Sequence, residues 1–125
     1  MMARLFFALA ALLGALSVAG GAFGAHALEG KLTESALASF ETGIRYQMYH
    51  ALALLLVAML IGQYPSAKGL VLVGWCFVAG IVLFSGSLYG LTLGGIKAFG
   101  PVTPLGGLAF IAGWGLLAWA SRSIF

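Results

Sequence analysis

Leu5-Phe6-Phe7-Ala8-Leu9-Ala10-Ala11-Leu12-Leu13-Gly14-Ala15-Leu16-Ser17-Val18-Ala19 opens a run that meets no charged residue until Glu29. A surface helix of a soluble protein keeps one face polar for water, and this stretch has no such face. At 1.5 Å of rise per residue, about 20 apolar residues cross the hydrocarbon core of a bilayer. Three more runs of this kind follow, Tyr46–Ala67, Gly69–Ile96 and Ala98–Ser121. The charged side chains, Arg4, Glu29, Lys31, Glu34, Glu41, Arg45, Lys68, Lys97 and Arg122, all fall at their margins. The pattern predicts four transmembrane helices.

Composition agrees. Hydrophobic residues make up 62% of the chain and charged residues 7%, where an ordinary soluble domain carries roughly 25% charged. This leaves one membrane domain over residues 1–125. The net charge of +3 is scattered over helix ends with no basic run to track phosphates, so no nucleic-acid partner is expected. Cys76 stands alone within a span, which excludes an intrachain disulfide and a thiolate metal cluster.

The spans are placed at about residues 5–25, 46–64, 70–93 and 102–120. Gly20, Gly21 and Gly24 loosen the end of the first. Met1–Arg4, the apolar run and Ala25-His26-Ala27 together imitate a secretory signal with its cleavage site. The run stays apolar through Phe23 without a polar segment before that site, so the first helix is read as retained. Residues 28–45 form a polar loop and an interfacial helical start, with Thr33 as N-cap and Glu34 in the first turn, where the helix dipole favours an anion. Pro65 ends the second span, and Pro104 lies in the first turn of the fourth. Arg4, Lys68 and Arg122 share one side, and Lys31, Arg45 and Lys97 the other, a tie by count. The first helix usually dominates, which favours a bacterial inner membrane with both termini cytoplasmic.

Candidate functional residues gather before and within the second span: Glu41, Arg45, Tyr46, Gln47, Tyr49 and His50. Glu41 and Arg45 have the i,i+4 spacing of an ion pair, and the tyrosines suit headgroup level. The alternative is a polar chamber facing the bundle interior. His26 and His50, both near helix ends in antiparallel neighbours, are expected at similar depth, where they could relay protons or hold a metal or haem. Two imidazoles without a carboxylate or thiolate are too few for a firm metal site, and no cofactor is expected. In the third span Ser85, Tyr89 and Thr92 form one stripe and Gly86, Gly90 and Gly94 another. Small residues at this spacing let a neighbouring helix approach, with hydroxyls bonding across the contact. Ala10, Gly14, Gly107 and Gly115 offer further close-packing faces. Trp75, Trp114 and Trp119 are read as lipid or interface anchors. No nucleophile–base pair or phosphate-binding loop is present.

Four motifs carry a resemblance. Gly20-Gly21-Ala22-Phe23-Gly24-Ala25-His26-Ala27-Leu28, Glu41-Thr42-Gly43-Ile44-Arg45-Tyr46-Gln47-Met48-Tyr49-His50-Ala51-Leu52-Ala53, Leu83-Phe84-Ser85-Gly86-Ser87-Leu88-Tyr89 and Val102-Thr103-Pro104-Leu105-Gly106-Gly107-Leu108-Ala109-Phe110 occur in order along the chain. Together they resemble the YgdD-like family of small inner-membrane proteins, whose shared domain is of unknown function, and are similar to small mitochondrial transmembrane proteins of animals. The resemblance implies a four-span helical protein with its first helix retained. It implies no catalytic residue.

The sequence therefore predicts an antiparallel four-transmembrane-helix bundle that acts without catalysis. The bundle would pack against itself or dock to a larger membrane complex. The alternatives are a small transporter or proton conductor using His26, Glu41, Arg45, Tyr49 and His50, and a haem or metal protein using His26 and His50.

Overall fold

Thr33 starts the longest helix by accepting a hydrogen bond at Oγ1 from the Ala36 N–H, at 3.1 Å, which satisfies one of the four free donors at a helix start. In the computed structural model, which describes residues 1–125, this helix is α2, Glu34–Gln63. It is preceded by α1, Met2–Leu28, and followed by α3, Leu70–Leu93, and α4, Val102–Ala120. No strand is present. The chain is an all-α four-helix membrane bundle.

The 30 residues of α2 span about 45 Å, more than the roughly 30 Å of hydrocarbon. Its charged residues, Glu34, Glu41 and Arg45, all lie in its first half and leave Tyr46–Gln63 free of charge. Tyr64–Gly69 turns the chain into α3, and Lys97–Phe99 adds a short 3₁₀ turn before α4. Each helix packs on its neighbours in sequence, in up-and-down order. Of the most apolar window of each helix, 39% and 44% is buried in α2 and α3, against 17% in α1 and in α4. The middle helices thus carry more of the buried surface, and the outer two leave most of theirs to lipid.

Two apolar clusters hold the layers. Phe6 and Ala10 of α1 pack with Leu54 and Ala58 of α2. Ala53 and Val57 of α2, Val73, Phe77 and Ile81 of α3, and Phe110 of α4 form the other.

Two helices depart from regular geometry. Gly20, Gly21 and Gly24 do not end α1. They form a π turn, Gly20–Gly24, in which the Ala25 N–H donates to the Gly20 carbonyl, and α1 runs on to Leu28. Residues Ile81–Ser85 do the same in α3, with the Gly86 N–H on the Ile81 carbonyl. A π turn inserts one residue into the helical repeat, so side chains beyond it rotate onto a different face. In α3 that rotation decides what faces α2.

Candidate functional site

Ser85 closes the π turn of α3 and is fully buried, with its hydroxyl donating to the Gly43 carbonyl of α2 at 2.7 Å. One turn further, the Tyr89 hydroxyl donates to Gln47 Oε1 at 2.7 Å. Gln47, itself buried, donates through Nε2 to the Leu13 carbonyl of α1 at 2.9 Å. Ser17 brings a second donor to that carbonyl at 2.8 Å. One glutamine side chain thus ties three helices together. Ser87 and Thr103 add a hydroxyl pair between α3 and α4 at 2.6 Å.

Gly43 makes the approach of α3 to α2 feasible. A Cβ there would lie 2.9 Å from Tyr89 Cε1 and 3.4 Å from Leu88 Cβ, so any larger residue would push Tyr89 off Gln47. A hollow of about 280 Å³, walled by Leu16, Gly20, Phe40, Ile44 and Leu93, reaches the Gln47–Tyr89 pair from between α1 and α3.

The second polar centre is His50. The Trp114 Nε1–H of α4 donates to His50 Nε2 at 3.1 Å, and His50 Nδ1 lies 2.8 Å from the Tyr46 carbonyl. Indole is donor-only and a carbonyl is acceptor-only. The pair therefore fixes a neutral imidazole with its proton on Nδ1. The Phe110 ring stacks on His50 at 3.5 Å between centroids and 8° between planes. Phe77 closes in at 5.5 Å. No hydrogen bond links this centre to the Gln47 centre, and no buried side-chain nitrogen or oxygen lacks a partner.

The cluster expected from sequence divides. Gln47 and His50 face the interior, and Tyr46 lies over Phe84 at 4.6 Å between centroids. Tyr49 is exposed and lies beside Tyr46, at 5.6 Å. Glu41 and Arg45 are exposed and form no ion pair. Arg45 instead donates to Thr42 Oγ1 at 3.3 Å, because three residues along a helix bring that hydroxyl within reach of the guanidinium. His26 is exposed at the end of α1, 3.9 Å from Glu29. The two share a rim hollow of about 240 Å³ with Glu41. His26 and His50 do not lie at similar depth. Leu13 sits opposite Gln47, and His26 lies about 20 Å further along α1 at 1.5 Å per residue. The structure brings together neither a two-histidine ligand pair nor a group of three or more metal-binding side chains.

The glycine seam also needs correction. Gly86 meets nothing nearer than 4.0 Å, Gly90 lies against the Phe99 ring, and Gly94 lies closest to the Gly90 carbonyl of its own helix. None receives a neighbouring span, because the π turn gives the inner face to Ser85 and Tyr89. Thr92 bonds the carbonyl of Leu88 in its own helix. Helices meet closely where an aromatic ring covers a glycine on another helix: Phe6 on Gly74, Phe110 on Gly80 and Phe77 on Gly113. Gly106 fits against the backbone of Phe84. Trp114, read from sequence as a membrane anchor, is the partner of His50. Nothing in the pattern of α4 pointed to it, since its partner is a single atom on another helix.

A family described as "Protein of unknown function (DUF423)" matches residues 20–107. The chain belongs to this family. The DUF423 match takes in Gln47, His50, Ser85 and Tyr89 and ends before Trp114. Similar proteins include the "UPF0382 membrane protein YwdK" of Bacillus subtilis, 48% identical over 111 residues, which is 89% of this chain and 90% of that protein. The "UPF0382 membrane protein SH2409" of Staphylococcus haemolyticus is 46% identical over 91% of this chain and 92% of its own length. A Staphylococcus epidermidis relative, SERP0230, is 42% identical over 94% and 95%. No solved structure matches. These relatives are named as membrane proteins without an assigned activity.

Proposed function

We propose that this DUF423 protein is a non-enzymatic packing or accessory protein that self-associates or docks to a larger membrane complex through its outer helices. One contrast carries the reading. The interior polar side chains are satisfied by one another and by backbone carbonyls, whereas Gly14 of α1 and Gly107 and Gly115 of α4 have no neighbouring atom within 4 Å of an added Cβ. Around Gly115 the outward face of α4 presents Leu108, Ile111, Trp114 and Trp119. Glycines open to the bilayer among large apolar side chains allow close approach by another helix, where dispersion and packing supply the attraction.

The resemblance to YgdD-like inner-membrane proteins, and to small mitochondrial ones, supports an inner-membrane address. With the basic residues tied three against three, the first helix, preceded by Arg4, supports cytoplasmic termini. The test is a photo-crosslinking residue at Ile111 in native membranes, with a second at Leu52, exposed on α2. A discrete protein adduct from Ile111 and none from Leu52 is expected. Lipid adducts alone at both positions would sink the reading.

A further inference from the structure

All three acidic side chains, Glu29, Glu34 and Glu41, lie at the end of the bundle where α1 finishes and α2 begins. The opposite end carries Arg4, Lys68 and Arg122 and no acidic side chain. Lys68 lies in the turn before α3, and Arg122 lies just past α4. Neither has an ion-pair partner, the terminal carboxylate included. The two cations converge on one hollow of about 210 Å³, lined by Lys68, Trp119, Arg122 and Ser123.

The local backbone builds this convergence. Gly69 has φ +88°, a left-handed conformation that suits glycine. A Cβ there would meet the Trp119 ring at 3.3 Å, so the turn carrying Lys68 passes directly over the indole. From the other side the Arg122 guanidinium lies 5.8 Å from the Trp119 ring centroid. An indole at the end of a span belongs at headgroup level. The hollow thus has two cations and an aromatic wall at the depth of lipid phosphates, while the Ser123 hydroxyl is spent on the Ala120 carbonyl at 2.9 Å.

We propose that this hollow is a binding site for the phosphate of an anionic phospholipid, with Lys68 and Arg122 supplying charge and hydrogen bonds and Trp119 the wall for the glycerol and upper acyl region. Basic pockets at span ends are suited to such headgroups, each cation being worth about fivefold in binding. The phosphate comes from the bilayer rather than from solution, because the site lies at the margin of the spans and the indole wall favours a ligand with apolar chains.

The full-length protein, purified in a neutral detergent, can be tested by native mass spectrometry with phosphatidylglycerol, phosphatidylcholine and inorganic phosphate as probes. The unmutated chain is expected to retain phosphatidylglycerol over phosphatidylcholine. The K68Q/R122Q double variant should lose roughly thirtyfold in affinity, and K68Q alone about fivefold. R4Q/K97Q removes the same net charge elsewhere and should retain the lipid. The four positions are exposed, and unchanged helical circular dichroism checks the fold. Equal loss in both double variants would mean diffuse surface attraction and would overturn the site. No preference for phosphatidylglycerol in the unmutated chain, or its displacement by millimolar inorganic phosphate, would overturn it too.

Discussion

Tyr89 donates its hydroxyl proton to Gln47 Oε1 across 2.7 Å, one turn from Gly43, whose missing side chain leaves room for the Tyr89 ring. Gln47 passes the connection to α1 through the Leu13 carbonyl. In hydrocarbon, helices gain no hydrophobic drive to associate, so close packing and hydrogen bonds such as this one hold them together. The bond also selects. Only the rotation that the Ile81–Ser85 π turn imposes on α3 puts both Ser85 and Tyr89 against α2.

Removing either end of this bond should cost stability without changing the fold. Tyr89→Phe leaves Oε1 unpaired, and Gln47→Leu leaves both Tyr89 and one contact to Leu13 unmet. Each is expected to cost about 0.6 kcal/mol, the mean for hydrogen bonds between membrane helices, and no more than about 1.7 kcal/mol. A double-mutant cycle, measured by unfolding in bicelles, should show the two losses combining to less than their sum. Strict additivity would mean that the two side chains act independently.

The four spans were legible because charge placement alone marks them, and Thr33 marked the start of α2. The polar layer was half legible. Gln47 and His50 stood out as polar residues in an apolar run, but Glu41 and Arg45, of matching spacing, prove to be rim residues. Helical spacing shows which residues share a stripe, not which way the stripe faces. The Gly86–Gly90–Gly94 stripe illustrates the limit. A π turn a few residues earlier rotates it away from α2, and Ile-Val-Leu-Phe-Ser carries no glycine or proline to announce such a turn. Contacts between an aromatic ring and a glycine on another helix leave no spacing within either helix at all.

His50 provides a direct check on the second polar centre. Its partners fix the proton on Nδ1 and leave Nε2 as acceptor for Trp114. Solid-state 15N spectra of the labelled protein in lipid should therefore show one histidine as the neutral Nδ1–H tautomer. Trp114→Phe, which removes the donor, is expected to perturb that signal and to cost about 1 kcal/mol. An Nε2–H tautomer would show that the indole contact does not form.

The transport alternative can be tested at the same residue. His50 shares no hydrogen bond with Gln47 or Tyr89, and Glu41, Arg45 and His26 lie outward at the rim. A proton relay needs donors and acceptors in sequence across the membrane, and this chain of contacts is interrupted. Proteoliposomes holding the unmutated protein and His50→Ala should therefore show equal, background-level flux under a pH gradient. Flux that depends on His50 would replace the packing role with conduction.

Gly106 and Gly107 are neighbours with opposite surroundings. A Cβ on Gly106 would fall on the backbone of Phe84, whose atoms cannot rotate away, and its Cα is only 2.7 Å distant. A Cβ on Gly107 meets nothing within 4 Å. Gly106→Ala must therefore separate α4 from α3, straining the Ser87–Thr103 pair and the Phe110 stack on His50. The cost is expected to reach about 1–3 kcal/mol, typical of overpacking a filled interior. Gly107→Ala should leave the monomer's stability unchanged or raise it by up to about 1 kcal/mol, through the better helix propensity of alanine. If Gly107 belongs to an interface with another membrane helix, a larger Gly107→Leu change should weaken that association while sparing the fold. Unfolding in bicelles measures the first pair of effects, and energy transfer between labelled copies in liposomes measures self-association. Equal destabilisation by the two alanine variants would mean that both faces of α4 are packed inside the bundle, contrary to the exposed outer face described here.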